Sequence, residues 1–552
     1  MGVNKIGSCL TFNFIIFAKN PKIQMIRSLR IPYHQIQQLS EKDRAYIGSD
    51  SRLMKFQKYK ASIHSFQDII NDKEQQKIDR VLLVEVLKKQ YQDIQTNYKV
   101  LDQIELLLNQ NTFTVSTAHQ PSLFTGPLYF IYKIISTINL AESLKSFYPS
   151  YNFVPMFISG AEDHDFDEIN HFHLFGKKIT WESSQGGSVG LMKNTGLKEV
   201  IDQLGDLIQN DEIIGLLNEF YPETGIYGKS ALRLVDFLFS KYGLVVLDMN
   251  KKELKNSFKS YFEKEVFERP SEKLVKETQD ELAELGFSPQ AFARPINLFY
   301  LQEGSRNRIE RNIEGFFEIL NTDIKFSEEE MRNEIQNYPE KFSPNVVLRP
   351  IYQEFILPNL AYVGGGGEIA YWLERKTQFE YFNVNFPVLI RRNSALLIDE
   401  ASNQRLEKLG YHAGDLFKDI EILTKEYLDR NSQISLDLKD EIEQVSHIFD
   451  SIARKAIHAD KTLEKTVLAE KSKQIKSLEY LEEKIIKAEK QKHDIALQQI
   501  QKLKIKNFPE NGLQERFENF LPYYLKMGDQ FFETLKENLN PFEVGFVVLI
   551  GI

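Results

Sequence analysis

The sequence predicts an α/β fold in which a doubly wound parallel sheet forms the core and a long helical arm follows it. Two observations predict the core. Residues 112–175 have the order strand, helix, strand that a parallel, right-handed crossover requires, and further strand-like runs alternate with helices up to residue 398. The arm is predicted because residues 399–507 are rich in the helix-forming residues Lys, Glu, Gln and Leu.

Length and composition exclude several classes of protein. The 552 residues are enough for two or three domains. The formal net charge of −9 argues against a general nucleic-acid-binding protein. No segment is apolar over the length that a membrane span needs. The single cysteine, Cys9, allows neither an internal disulfide nor a Cys-based metal site, which fits a reducing cytoplasm.

Residues 1–24 are interpreted as a doubtful N-terminal extension. The apolar run at residues 10–18 weakly resembles a secretion signal, but it lacks a small-x-small cleavage site and is too short to span a membrane. A more ordinary start follows at Met25. We therefore expect an over-called start codon or a disordered extension rather than secretion.

The core is predicted at residues 25–398, and its central unit contains the best candidate site. Its first strand, residues 113–117, runs into His119 and Gln120. Its second strand, residues 153–158, runs into Ser159 and the acidic turn, residues 162–165 (EDHD). Ligands of open parallel sheets bind beyond the carboxyl ends of the strands, so both polar clusters should face one cleft.

The other predicted elements are simpler. Residues 33–108 are predicted to be mostly helical, residues 186–190 to be a turn or mobile loop, and residues 171–181 to be extended. The remaining predicted helices are residues 197–217, 231–242 and 251–285, and the remaining predicted strands are residues 244–248, 295–301, 346–348 and 386–390.

The helical arm is predicted at residues 399–507. Leu478, Leu481, Ile485 and Ala488 step by three and four residues, as a coiled-coil seam does, although the heptads are imperfect. We therefore expect one antiparallel helical arm. The mixed apolar sequence of residues 508–552 is expected to fold back on the core.

Each polar cluster has a functional and a structural interpretation. His119 could donate a hydrogen bond or act as a base near pH 7, or it could simply be bonded within its loop. The carboxylates of the acidic turn repel each other unless a cation is near, and this cation could be Mg²⁺, an arginine or the ammonium group of a substrate. With His171 and His173 a metal site is conceivable, but the spacing matches no standard zinc pattern. The structural alternative is a solvated turn that caps a helix near Glu168.

The glycine run, Gly364 to Gly367, could form a backbone nest for an anion at the start of a helix, or it could be a tight turn with close packing. It is neither a Walker A loop nor GxGxxG. Arg349 and Gln353 precede it, and Arg391 and Arg392 follow it. Arginines suit a dicarboxylate substrate, but the last two could equally be surface residues.

Three segments in the same order resemble the bacillithiol-biosynthesis cysteine-adding family, the BshC cysteine ligases. They are STAHQPSLFTGPLYFIYKIIS, FVPMFISGAEDHDFDEINHFHLF and VVLRPIYQEFILPNLAYVGGGGEIAYW, and the similarity extends from Met25 to the C-terminus. The family usually has Gly-Gln-Gln where this chain has Ala118-His119-Gln120. It often has Gly-Gly-Pro-Gly at the glycine run. The first difference weakens a catalytic role for His119 and leaves Gln120 as the matching residue.

The resemblance implies a Rossmann-like core with inserted segments, a C-terminal coiled-coil arm and a homodimer in the cytoplasm. It implies a ligase that joins cysteine to the amine of glucosaminyl-malate in the last step of bacillithiol synthesis. Amide formation runs uphill near neutral pH, so ATP with Mg²⁺ is expected as the activating nucleotide. No tightly bound cofactor or resident metal is expected.

The resemblance, taken with the residues themselves, suggests a role for each candidate residue. Asp163 would hold the cysteine ammonium, with Glu162 as the alternate. His164 would be an acid/base or a phosphate donor, and His119 is the third catalytic candidate. The predicted substrate-binding residues are Gln120, Ser159, Glu162, Arg349, Gln353, Tyr362, Gly364, Gly365, Glu368 and Tyr371.

Two other functions stay open at this point. The acidic, His-containing stretch could belong to a metal-dependent hydrolase or nucleotidyl transferase that acts on a small anionic substrate. The arm could instead indicate a non-enzymatic coiled-coil scaffold. The polar clusters at the strand ends argue against a scaffold, because a scaffold does not need them.

Overall fold

A computed structural model describes residues 26–432 and 436–552. The predicted extension at residues 1–24, with Cys9, lies outside the described residues. The chain forms two compact units. The first contains the chain up to Leu396 together with Gln514–Val547, and the second contains Leu397–Leu513 and Val548–Ile552.

The strands are numbered in chain order. They are β1 Arg27–Ile31, β2 Thr112–His119, β3 Asn152–Ser159, β4 His171–Leu174, β5 Lys177–Thr180, β6 Val245–Asp248, β7 Leu298–Gln302, β8 Ser305–Arg311, β9 Phe317–Ile319, β10 Lys325–Phe326, β11 Phe342–Pro344, β12 Asn359–Gly364, β13 Val388–Arg391, β14 Ala395–Ile398 and β15 Phe546–Ile550.

The α-helices are numbered in the same way. They are α1 Glu41–Ile47, α2 Phe66–Glu74, α3 Arg80–Tyr91, α4 Tyr98–Leu106, α5 Tyr129–Phe147, α6 Phe166–Ile169, α7 Leu197–Ile208, α8 Asp211–Phe220, α9 Tyr227–Phe239, α10 Lys252–Glu263, α11 Pro270–Glu284, α12 Glu328–Asn337, α13 Arg349–Ile356, α14 Gly366–Trp372, α15 Lys376–Phe382, α16 Glu400–Lys408, α17 Ile420–Asn431, α18 Lys439–Ala459, α19 Leu463–Lys492, α20 Asp494–Asn507, α21 Leu521–Met527 and α22 Gln530–Asn538.

The first unit is built on a five-stranded sheet of order β13-β12-β2-β3-β6, in which every neighbouring pair is parallel. Helix α5 connects β2 to β3. The register between these strands runs from Thr112 opposite Asn152 to His119 opposite Ser159. The predicted parallel sheet and its crossover are confirmed.

Both faces of this sheet are covered, which explains why β3, β6 and β13 are mostly apolar. Strand β2 differs, because its buried polar residues Thr114, Ser116 and Thr117 form hydrogen bonds to β12. On one face Phe113 and Val115 of β2 pack with Phe66 and Ile70 of α2. On the other face Val154, Met156 and Ile158 of β3 belong to a larger cluster that includes Leu83 of α3.

A second sheet in this unit was not predicted from the sequence. It is antiparallel, of order β10-β9-β8-β7-β11, and is inserted between β6 and β12. The short antiparallel pair of β4 and β5 confirms the extended interpretation of residues 171–181.

Three sequence-based element predictions are wrong. The helix predicted at residues 197–217 is two helices, α7 and α8, because Gln209 between them has a left-handed conformation. Residues 346–348 are not a strand, because the side chain of Asn345 accepts hydrogen bonds from Val347 N at 2.8 Å and Leu348 N at 3.2 Å and turns the chain into α13. The helix predicted at residues 251–285 is broken at Arg269. This residue has a left-handed conformation, with φ 54°, and Pro270 begins α11.

In the second unit α18 and α19 form a long hairpin across a short turn at residues 460–462. An ion pair of 2.6 Å between Lys471 and Asp450 joins positions equally far from that turn, so the two helices run antiparallel. Helix α19 is 30 residues long. The predicted antiparallel helical arm is confirmed. In the described part of the chain, no helix combines the length and apolar character needed to cross a membrane.

Ile131 of α5 tests whether the crossover helix is a packed part of the core. Its side chain is fully buried, so Ile131→Ala should lower the free energy of unfolding by about 2–5 kcal/mol through lost burial and an unfilled cavity. Leu101→Ala on α4, where the side chain is 47% exposed, should change it by about 0.5 kcal/mol or less. Urea unfolding of both variants would measure this, and equal effects would contradict the packing described.

Candidate active site

The carboxyl ends of four parallel strands meet at one edge of the central sheet. His119 ends β2 opposite Ser159 at the end of β3, and Gly364 ends β12 opposite Arg391 at the end of β13. Ser159 is almost buried at this edge. The two polar clusters, which begin at His119 and Ser159, were predicted to face one cleft. In the structure they follow the ends of the neighbouring strands β2 and β3.

Asp163 is the centre of the acidic turn that follows β3. Its carboxylate accepts hydrogen bonds from His164 N at 2.7 Å and from Gln120 Nε2 at 2.8 Å. The same amide donates to Glu168 Oε2 at 2.9 Å. Gln120 thus joins the end of β2 to the turn after β3.

Asp163 is ionised at neutral pH. Burial alone would raise the pKa of this carboxyl group, but hydrogen bonding by His164 and Gln120 and the positive charge of Arg306 hold the pKa below its ordinary value. Its side chain is still 37% exposed. The carboxylate therefore keeps both its charge and an open side.

Arg306 reaches the acidic turn from β8 of the inserted sheet. Its guanidinium donates to His164 Nδ1 at 2.9 Å and lies 3.6 Å from Asp163 Oδ1. It also donates to Ser343 Oγ at 3.1 Å and to the Pro344 carbonyl oxygen at 3.2 Å. Since the side chain is only 6% exposed, these contacts hold it firmly in place.

The contact with Arg306 defines the state of His164. An arginine can only donate, so His164 Nδ1 accepts this hydrogen bond, and Nε2 is the ring nitrogen that carries a proton. The imidazole also packs against Phe299, with ring centroids 5.3 Å apart. His164 therefore presents an N–H donor to its surroundings while Nδ1 is engaged.

His119 is bonded at both ring nitrogens. Nδ1 lies 3.0 Å from the Gln120 carbonyl oxygen, which can only accept, so Nδ1 carries the proton. Nε2 lies 3.0 Å from the Tyr129 hydroxyl and accepts from it. Burial, with the nearby charge of Lys133, lowers the pKa of His119 to about 4, so the ring is neutral at pH 7.

Glu162 is turned into the protein rather than toward Asp163. It forms an ion pair with the buried Lys255 and accepts a hydrogen bond of 3.1 Å from Ser343 Oγ. Lys255 is held in turn by Asn250 Oδ1 at 2.9 Å. With its charge already balanced, Glu162 is a weaker candidate than Asp163 for holding a substrate ammonium.

Glu368 anchors the glycine run to the central sheet. Its carboxylate pairs with the buried Lys133 of α5 at 2.7 Å and accepts from Tyr362 OH at 2.5 Å and Gly365 N at 2.9 Å. Burial opposes the charged form, but Lys133 and these donors lower the pKa of Glu368 to about 2. Lys133 also donates to the Ala118 carbonyl oxygen of β2.

The glycines of the run have different roles. A side chain at Gly366 would collide with Asp43, whose carboxylate lies 2.2 Å from the position of a Cβ atom. A Cβ atom on Gly364 would meet Tyr362 at 3.0 Å, whereas Gly367 has open space around it. Close backbone packing therefore explains part of the run.

Arg349, Gln353 and Tyr371 form one hydrogen-bonded set beside Glu368. Arg349 donates to Gln353 Oε1 and to Tyr371 OH, both at 2.9 Å. Gln353 is fully buried and donates to Ser116 Oγ at 3.3 Å. The structure brings together these three predicted substrate-binding residues.

Arg391, which ends β13, and Arg392, which follows it, are both buried. The alternative that these arginines lie on the surface is therefore wrong. Arg391 pairs with Asp43 at 2.9 Å, and Arg392 pairs with Glu515 at 2.7 Å. The Nε atom of Arg392 is buried and has no hydrogen-bond partner among the described residues. It lies 3.6 Å from the position that a Cβ atom on Gly365 would take.

Residues 186–190 close tightly over the acidic turn. Val189 N donates to the Asp163 carbonyl oxygen at 2.7 Å, and Gly190 N donates to that of Ala161 at 2.8 Å. A Cβ atom on Gly190 would lie 2.4 Å from Ala161 Cβ. The loop predicted as a turn is thus packed against the site backbone.

Comparisons with known proteins agree with this architecture. The family model described as "Bacillithiol biosynthesis BshC, N-terminal Rossmann-like domain" matches residues 26–393, and that of the "C-terminal coiled-coil domain" matches residues 395–550. The chain belongs to the BshC family.

Several relatives carry the name "Putative cysteine ligase BshC". That of Flavobacterium johnsoniae is 40% identical over 510 residues, which are 91% of this chain and 96% of that protein. That of Cytophaga hutchinsonii is 37% identical over 512 residues, or 93% and 97% of the two chains. That of Chlorobaculum tepidum is 30% identical over 488 residues, or 84% and 87%. These relatives favour a ligase over the hydrolase or nucleotidyl transferase alternative.

Several residues of the candidate site in this BshC chain were not predicted from its sequence. Lys133, Lys255 and Arg306 supply its fixed positive charges, but each is far in sequence from the carboxylate it meets. Arg306 in particular lies on a strand that was not predicted. Lys133 is the one of these residues that the sequence could indicate, because a charged residue within the apolar helix α5 suggests a buried partner.

Arg306→Gln should lower turnover by about 10- to 100-fold, because a hydrogen bond from a charged donor contributes about 1.5–3 kcal/mol. The reason is that His164 would lose the donor that fixes its tautomer. Histidine ¹⁵N NMR should show a change at His164 that a purely structural role would not produce. Arg308→Gln, an exposed arginine on the same strand, is the matched control. An unchanged His164 signal and full turnover in Arg306→Gln would contradict this role.

Proposed function

We propose that this chain is a cysteine ligase that joins the carboxyl group of cysteine to the amine of glucosaminyl-malate to form bacillithiol. A carbon–nitrogen bond forms, and the cysteine carboxyl group loses one oxygen. Membership of the BshC family and the names of its relatives support this reaction. The structural observation that supports this reaction most directly is Asp163, which is ionised and partly exposed beyond the carboxyl ends of β2 and β3.

Asp163 would hold the ammonium group of cysteine. Its carboxylate is charged, its existing donors fix its orientation, and one side is open to solvent. An ammonium group is the natural partner for such a carboxylate. Bound in this way, the cysteine carboxyl group would lie near the N–H of His164, because the two side chains are adjacent.

His164 would act as a hydrogen-bond donor to the cysteine carboxyl oxygen or to a phosphate. Arg306 keeps Nδ1 occupied, so the Nε2 proton is the group available for this purpose. His119, with both nitrogens bonded inside the chain, would position Gln120 rather than exchange protons. Gln120 would in turn hold Asp163.

ATP with Mg²⁺ would supply a leaving group on the cysteine carboxyl group, which makes the uphill amide formation possible. The buried Arg392 Nε, which lacks a partner among the described residues, lies beside Gly365 and suits an acceptor oxygen of an anionic group there. Arg349 with Gln353 and Tyr371 offers a second positive charge. These groups would bind the nucleotide phosphates or the malate carboxylates.

The remaining features of the proposal follow from the same family. The enzyme would be a cytoplasmic homodimer with no tightly bound cofactor and no resident metal. Its substrates would be cysteine and glucosaminyl-malate, a low-molecular-weight amine. Nucleic acid and membranes would not be partners.

Reconstitution tests the reaction. Purified full-length protein would be mixed with cysteine, glucosaminyl-malate, ATP and Mg²⁺, and the products read by mass spectrometry. The expected product has the mass of glucosaminyl-malate plus cysteine minus water, with AMP or ADP formed in equal amount. Binding of both substrates without product, in the presence of the nucleotide, would show that the proposed reaction or its activation is wrong.

Asp163→Asn tests the assigned role of Asp163. Removing one partner of a close charge pair typically costs at least about 2 kcal/mol, so cysteine binding should weaken about 30-fold or more. The protein should stay folded, as checked by thermal unfolding. Asp167→Asn, an exposed neighbour on α6, should bind cysteine normally. Full affinity and turnover in Asp163→Asn would show that another group holds the ammonium.

A further inference from the structure

Arg375, in the connection between α14 and α15, is a buried cation without a matching anion. Its side chain is fully buried. None of its three guanidinium nitrogens, Nε and the two terminal nitrogens, has a hydrogen-bond partner among the described residues. A buried polar group without a partner is costly, and a buried unpaired charge is more so. Such a group calls for a bound acceptor.

The neighbouring carboxylate, Glu374, does not satisfy Arg375. Glu374 accepts hydrogen bonds from Gln279 Nε2 at 2.8 Å and from Gln290 N at 2.7 Å. It also lies 3.6 Å from the ammonium group of Lys42, which is itself nearly buried. Glu374 is therefore hydrogen-bonded to groups other than the Arg375 guanidinium.

The local charges therefore do not balance. Lys42 and Arg375 are two buried cations, and among the described residues Glu374 is the carboxylate that lies next to both. Burial lowers the pKa of Arg375 to about 10, which still leaves the group protonated at neutral pH. These three groups together therefore carry one uncompensated positive charge.

A further unpartnered donor lies close to Arg375 in the sequence. Trp372 Nε1, three residues earlier in the chain, is buried and also without a partner among the described residues. The one unpartnered acceptor nearby in sequence is Gln378 Oε1. It can satisfy one of these donors and leaves the others open.

We propose that Arg375 binds a small anion of single charge in the interior of the first unit. The ligand is of halide or carboxylate type, because both types accept several N–H donors and cancel one positive charge. It would lie at the end of α14, the helix that carries Glu368 and Tyr371. This inference does not depend on the ligase assignment.

Anomalous scattering from crystals of the full-length wild-type protein grown in sodium bromide tests the site directly. A bromide peak within hydrogen-bonding distance of the Arg375 guanidinium is expected if a halide binds. Crystals grown in formate, free of halide, should show a planar density at the same place if a carboxylate binds. Only water beside Arg375 under both conditions would overturn the proposal.

Thermal unfolding provides a second test in solution. At constant ionic strength, replacing bulky gluconate with chloride or formate should raise the Tm of the wild-type protein with the logarithm of the anion concentration. Arg375→Met should lose this dependence. Arg80→Met is the matched control, because Arg80 is also nearly buried but donates to the carbonyl oxygens of Leu107 at 2.9 Å and Thr112 at 2.8 Å.

The outcomes are distinct. A rise with chloride alone identifies a halide site, and a rise with formate alone identifies a carboxylate site. In both cases Arg80→Met should keep the same slope as the wild type even if its Tm is lower. The same slope in Arg375→Met and the wild type would overturn the proposal, as would the absence of any slope in the wild type.

Discussion

The parallel pairing of β2 with β3 is the constraint on which the site depends. Its register ends with His119 opposite Ser159, so the two chain segments that follow must leave the sheet side by side. Gln120 can then reach Asp163 across that edge. A shift by one residue would turn the side chains of one strand to the opposite face of the sheet and separate these groups.

The site is held by charges that come from other elements. Lys133 of the crossover helix fixes Glu368, Lys255 of α10 fixes Glu162, and Arg306 of the inserted sheet fixes the acidic turn. Each cation is nearly buried, which strengthens its pairing and makes its loss costly. Asp163 is the most exposed of the three carboxylates, at 37% against 25% for Glu368 and 15% for Glu162. This difference makes it the best group for a substrate ammonium.

Much of the fold could be predicted from the sequence, because periodicity and burial on both faces leave strong signals. The parallel unit around β2 and β3 and the helical arm belong to this group. The antiparallel inserted sheet could not, since strands such as β10, with two residues, are too short for a pattern. The side chain of Asn345 also overrode the β propensity of Val346 and Val347. The proximity of Asp163 and Gln120 could be predicted from the strand ends, but the contact of Arg306 with Asp163 required the three-dimensional structure.

The most direct test of the account is a crystal structure of the full-length protein with bound cysteine. The account predicts that the cysteine ammonium lies within hydrogen-bonding distance of the Asp163 carboxylate, at the edge shared by β2 and β3. The thiol and carboxyl groups should then be near His164. Cysteine bound elsewhere, with this edge left without ligand, would contradict the account.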